Sequence, residues 1–217
     1  MCVKIGIEMI FKNREEAGKM LAAKLNNFKE RKNLLVLAIP RGGLVVGKEL
    51  AQGLNCPLEV IVTKKIGAPD NPELAIGAVG AMGVPVINEE LANQVGADKS
   101  YLQKEIANRQ KEVARRIKEY RGEKPFPQLK NKQVIITDDG VATGATMEAA
   151  VEVVRQQEPK QIIVAVPVIA RDSLKKLEAK ADEVIYLEAP LMFFAVGQFY
   201  QEFAQIADKK VKELLKR

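Results

Sequence analysis

Residues 134–146 read V-I-I-T-D-D-G-V-A-T-G-A-T, and this stretch decides the fold that we expect for the chain. Its apolar start is typical of a buried strand, and the helical spacing of Met147, Ala150, Val151 and Val154 predicts a helix directly after it. A strand that passes through a short polar loop into a helix is the repeating unit of α/β proteins.

The rest of the chain repeats this alternation of strand and helix. Further strands are predicted at 34–39, 60–62, 162–166 and 184–187, with one or two more within 77–88. Helices are predicted at 101–120 and at 211–215. Two more are predicted from apolar positions that share one helix face, the first with Ala17, Met20, Leu21 and Leu25 and the second with Val46, Leu50, Ala51 and Leu54. We therefore expect an α/β fold with a mostly parallel central sheet flanked by helices, formed by residues 1–217 as a single domain.

Composition is typical of a soluble globular protein, with 47% hydrophobic and 29% charged residues. The longest apolar run, residues 162–170, is too short to span a bilayer, and the first residues carry no features of a secretion signal. Cys2 and Cys56 are too few for a disulfide framework. These features predict a cytoplasmic protein without a membrane partner.

The chain contains no histidine, which removes the commonest general base and the nucleophile pairs that depend on it. Ser100 and Ser173 are the only serines, and neither lies in a G-x-S-x-G motif. The chemistry must therefore rely on carboxylates, cations, hydroxyls and backbone amides.

The net charge of +6 comes from one segment, because residues 98–132 hold 11 Lys and Arg against 5 Asp and Glu. A basic helix at 101–120 raises the possibility of nucleic-acid binding. The helix also carries two opposite-charge pairs at i,i+4 spacing, Glu105 with Arg109 and Glu112 with Arg116. Since interleaved aromatic residues are missing, a solvated helix face is the favoured interpretation and nucleic acid is not the expected partner.

Asp138 and Asp139 follow the strand of the opening stretch side by side. Consecutive strand residues point to opposite faces, so both can reach one ligand only if the chain leaves strand geometry, which Gly140 permits. Adjacent carboxylates near a buried strand end raise one another's pKa unless donors or a cation engage them. A ribose diol would supply donors, and Mg²⁺ would supply a cation.

The following residues, A-T-G-A-T at 142–146, open the predicted helix, whose free N–H groups and dipole favour an anion. Thr143 and Thr146 add hydroxyl donors, and Gly144 allows close backbone approach. No lysine lies within 140–146, so the stretch is not a Walker A motif. The alternative to a phosphate cradle is a tight turn capped by Thr143, with solvated aspartates.

The stretch resembles the ribose-5-phosphate-binding signature of the type I phosphoribosyltransferases, which use 5-phosphoribosyl 1-diphosphate (PRPP), and the resemblance covers residues 11 to about 210. It implies that Asp138 and Asp139 hold the ribose 2- and 3-hydroxyls and are catalytic. It also implies Mg²⁺ carried by PRPP near this acid pair, without a direct protein ligand. The residues implied to bind the 5-phosphate are Ala142, Thr143, Gly144, Ala145 and Thr146.

P-R-G-G at 40–43 follows the first predicted strand, where the family has its pyrophosphate loop. Arg41 offers a forked donor for phosphate oxygens and is implied to be catalytic, while Gly42 and Gly43 would expose amides to the pyrophosphate. The family often has a cis peptide in this loop, which here would fall near Pro40-Arg41. A simple turn with Arg41 in solvent is the alternative.

Lys64 and Lys65 are assigned to the end of the second strand, where relatives place a cation on the pyrophosphate. Adjacent strand residues diverge, so one of the two is expected to face the ligand. The Gly/Pro/Asn-rich residues 66–79 would then be a mobile loop over the site, with Glu73 either a proton-transfer group or a solvated side chain. Because ligands of parallel sheets bind beyond the strands' carboxyl ends, segments 40–43, 63–65 and 138–146 are expected to share one crevice.

F-F-A-V-G-Q-F-Y at 193–200 resembles the small hood region of purine-type members, in which Phe194 and Ala195 would contact the base. Core packing of the aromatic residues is the alternative. Gln201 stands where purine enzymes have an aspartate, and Ala142 where hypoxanthine-guanine enzymes have one, so hypoxanthine-guanine specificity is disfavoured.

The sequence therefore predicts an Mg-dependent phosphoribosyltransferase of nucleotide salvage that moves ribose 5-phosphate from PRPP to a nucleobase or similar nitrogen acceptor. The acceptor stays open, and a homodimer is possible because relatives are often dimers. The main alternative is a PRPP- or nucleotide-sensing regulator of the same fold that binds nucleic acid through its basic helix. A Rossmann-type cofactor protein fits least, since Gly77, Gly80 and Gly83 do not match G-x-G-x-x-G.

Overall fold

A five-stranded parallel sheet forms the centre of the computed structural model, which describes residues 9–80 and 85–215. Its strand order is β2-β1-β6-β7-β8, and a second, antiparallel sheet has the order β3-β4-β5. The strands are β1 (Leu34–Ala38), β2 (Leu58–Val60), β3 (Thr63–Ala68), β4 (Asn71–Gly80), β5 (Pro85–Ile87), β6 (Gln133–Thr137), β7 (Gln161–Val168) and β8 (Glu183–Glu188).

Seven α-helices in the described residues flank these sheets. They are α1 (Arg14–Lys24), α2 (Gly43–Leu54), α3 (Glu89–Gln94), α4 (Lys99–Arg121), α5 (Ala145–Arg155), α6 (Arg171–Glu178) and α7 (Asp208–Leu215), with 3-10 turns at Asn26–Phe28 and Val196–Phe199. Side-chain caps begin two of the longer ones, since Asn13 accepts from the N–H of Glu16 and Asp98 from that of Tyr101. None of the helices in the described ranges is long and apolar enough to cross a membrane.

The central sheet is covered on both faces, which explains why its strands read as continuous apolar runs. Alternate strand residues point to opposite sides: Ile135 of β6 packs with α1 and α2, whereas Val134 and Ile136 pack with α5 and α6. The expected α/β fold with a mostly parallel central sheet and flanking helices is therefore confirmed. Met20, assigned to the buried face of α1, is instead 38% exposed.

The segment 66–79 was predicted as a mobile loop, and this prediction is wrong. It forms most of the hairpin of β3 and β4, in which Lys64 and Lys65 are interior strand residues and do not end the second strand. Pro69-Asp70 makes the turn, as these residue types do. The outer half of β4, residues 71–75, is exposed, so it lacks the apolar pattern that marks a buried strand.

The hairpin lies between two helices, and this arrangement positions the candidate site. Ile66 and Val79 belong to an apolar cluster with Val113 of α4, while Ala78 packs against Ala149 and Val153 of α5. The prediction of one or two strands within 77–88 is confirmed by the end of β4 and by β5, while residues 81–84 lie outside the described part of the chain.

Candidate active site

The loop between β6 and α5 has the geometry of an anion cradle. Gly144 lies at φ +84 and caps α5, a conformation that favours glycine, so the free N–H groups of the first helical turn open onto the loop. Thr143 and Thr146 are exposed there and available to a ligand. Ser173 of α6 is buried and donates from its hydroxyl to the carbonyl of Ala142 at 2.6 Å, which anchors the loop from behind. No motif of the sequence indicated this role for Ser173.

The acid pair, Asp138 and Asp139, is largely buried at the start of the same loop. The Asp138 carboxylate accepts from the N–H of Asp139 at 2.8 Å and from the N–H of Gly43. Burial raises the pKa of Asp138 well above its usual value, and the neighbouring Asp139 raises it further. Burial also raises the pKa of Asp139, but the guanidinium of Arg14 opposes this shift. Both carboxyls therefore have a raised pKa, and only that of Asp139 is opposed by a hydrogen-bonded cation.

Arg14 is the partner of Asp139 that sequence reasoning missed. Its Nε donates to the Asp139 carboxylate at 2.7 Å, and its NH1 donates to the carbonyl of Ala204 at 2.9 Å. The guanidinium lies 3.8 Å from the ring centroid of Phe203, and the Arg14 side chain is only 8% exposed. The one available signal was weak: a cation in the first turn of a helix opposes the dipole and therefore needs a nearby anion.

The P-R-G-G loop lies beside the acid pair because β1 and β6 are parallel neighbours, with Ala38 opposite Thr137. A Cβ built on Gly42 would stand 1.9 Å from Oδ2 of Asp139, so only glycine fits here. Gly43 approaches Asp138 almost as closely, and its amide faces that carboxylate, whereas the sequence predicted that it would be exposed to pyrophosphate. The peptide bond between Pro40 and Arg41 is cis, as expected from the resemblance.

Arg41 is partly exposed, and its nearest acidic partner is Asp208 at the start of α7, 3.9 Å away. The same Asp208 carboxylate accepts from the hydroxyl of Tyr120 at 2.8 Å. An ion pair of this length and exposure contributes little, so Arg41 can exchange it for a ligand.

A cavity of about 520 Å³ opens next to residues 142–146, the expected site of the phosphate, which we call the phosphate loop. All three segments expected to share a crevice contribute to its wall, through Pro40, Thr63, Lys64, Lys65, Thr143, Ala145 and Thr146. The two lysines diverge as expected, but both line the cavity: Lys64 pairs with Glu112 of α4 at 2.6 Å, and Lys65 with Glu73 of β4 at 2.8 Å. The acid pair, Arg41, Gly42 and Gly43 lie outside this wall.

Two arginines of α4, Arg109 and Arg116, also line the cavity. The expected helix pairs are present, with Arg109 2.9 Å from Glu105 and Arg116 3.9 Å from Glu112. The interpretation of α4 as a solvated face is nevertheless incomplete, because these two arginines face the hairpin side. We call Lys64, Lys65, Arg109 and Arg116 the cation wall.

The hood region, residues 193–200, contacts Asp139 and Gly140 at the start of the loop between β6 and α5. The hydroxyl of Tyr200 donates to the carbonyl of Asp139 at 2.5 Å, and Val196 leaves no space for a Cβ on Gly140. Phe199 and Tyr200 are buried, which agrees with core packing. Phe194 is 80% exposed, and neither it nor Ala195 lines the cavity. Gln198 fixes this segment by accepting from both their amides, at 2.9 and 3.1 Å.

The acid pair provides hard oxygen ligands of the kind that Mg²⁺ prefers. However, the described residues contain no group of three or more His, Cys, Asp or Glu side chains that could hold an ion by themselves. Asp138 and Asp139 also already accept hydrogen bonds from the protein. The site therefore fits Mg²⁺ that arrives with a phosphorylated substrate, since this ion usually retains waters and substrate oxygens as ligands.

The chain belongs to the phosphoribosyl transferase domain family, whose sequence model matches residues 6–203. Two curated proteins of Mycobacterium tuberculosis, from different strains and provisionally named as phosphoribosyl transferases, are each 38% identical to it over 208 residues. The match covers 96% of this chain and 47% of theirs, so the chain spans about half the length of these curated relatives. The crystal structure of TT1426 from Thermus thermophilus is similar at 41% identity and a TM-score of 0.89, covering 95% of this chain and 98% of that one.

Proposed function

We propose that residues 1–217 act as a single phosphoribosyltransferase domain that moves ribose 5-phosphate from PRPP to a nitrogen of a nucleobase-like acceptor and releases pyrophosphate. One observation carries this proposal: a single strand-loop-helix unit places the buried acid pair a few residues before a helix N-terminus whose N–H groups are free. A diol clamp next to a phosphate cradle matches a ribose 5-phosphate. Nucleotide salvage in the cytoplasm is the corresponding biological setting.

The acid pair would accept hydrogen bonds from the 2- and 3-hydroxyls of the ribose. Arg14 supports this role because its positive charge favours the ionised form of Asp139 and its hydrogen bond of 2.7 Å fixes the orientation of the carboxylate. The reaction passes through an oxocarbenium-like state, and a carboxylate held near the ribose stabilises the developing positive charge. Such chemistry needs positioning and electrostatics more than a nucleophile, which suits a chain without histidine.

The 5-phosphate would bind at 142–146, where Thr143, Thr146 and the N–H groups of the first turn of α5 are accessible. The pyrophosphate would lie between Arg41, the amide of Gly42, and Lys64 and Lys65, because the amide of Gly43 already donates to Asp138. Mg²⁺ bound to the diphosphate would add positive charge to the leaving group. Phe194 is 80% exposed and, with Ala195, remains the proposed contact for the base.

The experiment is a pyrophosphate-release assay with PRPP, Mg²⁺ and a panel of nucleobases, in which Asp139→Asn is compared with wild type. Loss of one charge-stabilising group should slow transfer by about a hundredfold. Asp172→Asn, which changes an exposed carboxylate on α6, is the control and should retain full activity. Equal release by wild type and Asp139→Asn would remove the acid pair from the mechanism.

The alternative function, a PRPP-sensing regulator that binds nucleic acid through α4, depends on that helix presenting its charge outward. Arg109 and Arg116 line the cavity, which favours a role in small-molecule binding. Five other cations of α4 are exposed and accessible to nucleic acid, so the regulator hypothesis predicts a different experimental result from the enzyme hypothesis. PRPP binding without turnover on any base, together with salt-sensitive binding of nucleic acid, would favour it.

A further inference from the structure

The wall of the cavity opposite the phosphate loop carries more positive charge than the sequence motifs account for. Arg109, Glu112 and Arg116 are spaced by three and four residues, so they share one face of α4. That face meets β3, since Lys64 pairs with Glu112 at 2.6 Å. The cation wall therefore combines two lysines of the hairpin with two arginines from a helix that lies outside every motif of the sequence.

One carboxylate serves most of these cations. Glu112 lies 2.6 Å from Lys64, 3.8 Å from Arg109 and 3.9 Å from Arg116, and these cations hold its pKa below the usual value. Only the contact with Lys64 is short enough to be a hydrogen bond. Glu112 therefore satisfies neither arginine, although Arg109 also donates from NH2 to Glu105 at 2.9 Å.

Two buried polar atoms at this wall have no hydrogen-bond partner within the part of the chain that the structure describes. They are Nε of Arg109 and Oγ1 of Thr63, and both residues line the cavity. Thr63 is only 7% exposed, so water is largely excluded from it. Buried polar groups are normally paired, and an unpaired one that lines a cavity is available to a water, an ion or a ligand. A donor guanidinium beside an unpaired hydroxyl calls for an acceptor-rich anion.

We infer that Arg109 and Arg116 of α4, with Thr63, bind the diphosphate end of the donor, and that Glu112 is an internal counter-ion which the diphosphate displaces. The inference deepens the proposed function and rests on it for the identity of the ligand. Arginine suits this role because its planar fork can bind two phosphate oxygens at once. A cavity with the phosphate loop on one side and the cation wall on the other accommodates a ligand phosphorylated at both ends.

The test is calorimetric titration of Arg109→Gln and Arg116→Gln with inorganic pyrophosphate and Mg²⁺. Each variant loses charge-assisted hydrogen bonds, so each should bind pyrophosphate at least about tenfold more weakly than wild type. Arg115→Gln is the matched control: it removes the same charge from the same helix, but its side chain is 67% exposed and does not line the cavity. It should change the affinity less than about twofold, as expected for a screened, distant charge.

A second variant tests the inference without removing a proposed ligand. Glu112→Gln eliminates the competing counter-ion and should bind pyrophosphate more tightly than wild type, because the cations no longer exchange one anion for another. Circular dichroism should show that each variant is folded. Equal affinities for Arg109→Gln, Arg116→Gln and Arg115→Gln, or weaker binding by Glu112→Gln, would overturn the inference.

Titration with PRPP separates this inference from the proposed function. Asp139→Asn should weaken binding of PRPP and leave binding of pyrophosphate unchanged, since pyrophosphate has no ribose. If wild type binds pyrophosphate through Arg109 and Arg116 but does not bind PRPP, the proposed function fails and the cation wall remains an anion site. If PRPP binds through Asp139 while the α4 variants behave like Arg115→Gln, the function stands and the inference fails.

Discussion

The acid pair and the cation wall differ in how completely the protein satisfies its own charges. Asp139 has a close and buried partner in Arg14, and Asp138 accepts two backbone N–H groups. In the cation wall, Arg109 and Arg116 share the distant Glu112. Arg109 also donates from NH2 to Glu105 at 2.9 Å, but its Nε has no partner within the described residues. The acid pair is thus preorganised by the fold, whereas the cation wall is completed by a ligand.

Because of this difference, variants of the acid pair should lose folding stability, whereas variants of the cation wall should lose affinity for the ligand. Removing a partner from the acid pair leaves a buried charge uncompensated, so such variants should mainly lose folding free energy. Removing a cation from the wall relieves repulsion as much as it breaks pairs, so those variants should mainly lose ligand affinity. The following predictions test this separation.

The largest effect is expected for Arg14→Met, which keeps an unbranched side chain, removes the guanidinium and leaves Asp139 buried without its cation. The free energy of unfolding should fall by about 3 kcal/mol or more. Urea denaturation measures it, and the double variant Arg14→Met with Asp139→Asn should recover much of the loss because no charge then remains unpaired. A loss below about 1 kcal/mol for the single variant would mean that the pair is not preorganised.

Gly42→Ala should cause the next largest effect. Its new methyl group would stand 1.9 Å from Oδ2 of Asp139, so either the carboxylate or the P-R-G-G loop must move. We expect a loss of about 2 kcal/mol in unfolding free energy, as for other overpacked sites, together with weaker binding of PRPP. Thermal unfolding and calorimetry measure the two effects. An unchanged affinity for PRPP would show that the close approach of this loop does not position Asp139.

The pH dependence of stability should differ between wild type and Asp138→Asn. The pKa of Asp138 is raised in the folded protein, so the folded state binds more protons than the unfolded state between the usual value of 3.8 and the raised value. Within that window each pH unit should destabilise wild type by about 1.4 kcal/mol relative to the variant. Urea midpoints measured from pH 4 upward provide the test. A constant difference between the two proteins would show that Asp138 titrates normally.

The smallest effect on stability is expected for Arg116→Gln in the cation wall. Its contact with Glu112 is 3.9 Å long and about one-third exposed, so the free energy of unfolding should change by less than about 0.5 kcal/mol. Differential scanning calorimetry without ligand measures this quantity. A loss comparable to that of Arg14→Met would show that the wall is a structural ion cluster.

The central sheet and the phosphate loop could be predicted because their signals are local. Apolar runs identified β1, β6 and β7, and the stretch 134–146 contains the strand, the acid pair and the helix start in sequence order. Arg14 could not be found in this way, because 125 residues separate it from Asp139 and only the packing of α1 brings them together.

The hairpin and the cation wall were missed for a related reason. Helical periodicity correctly separated the apolar and charged faces of α4, but it cannot tell whether a charged face meets solvent or a neighbouring polar cavity. The exposed and polar residues of 71–75 hide the hairpin from a reading of apolar patterns, so the sequence does not indicate a strand opposite that face. The position of β3 and β4 decides that Arg109 and Arg116 border a cavity.

The most direct test of the account is a crystal structure of the protein with PRPP and Mg²⁺. The account predicts the ribose hydroxyls on Asp138 and Asp139, the 5-phosphate on the amides and hydroxyls of 142–146, and the diphosphate against the cation wall, with Glu112 released from Lys64. A complex in which the ribose does not touch the acid pair, or in which the diphosphate points away from α4, would contradict it.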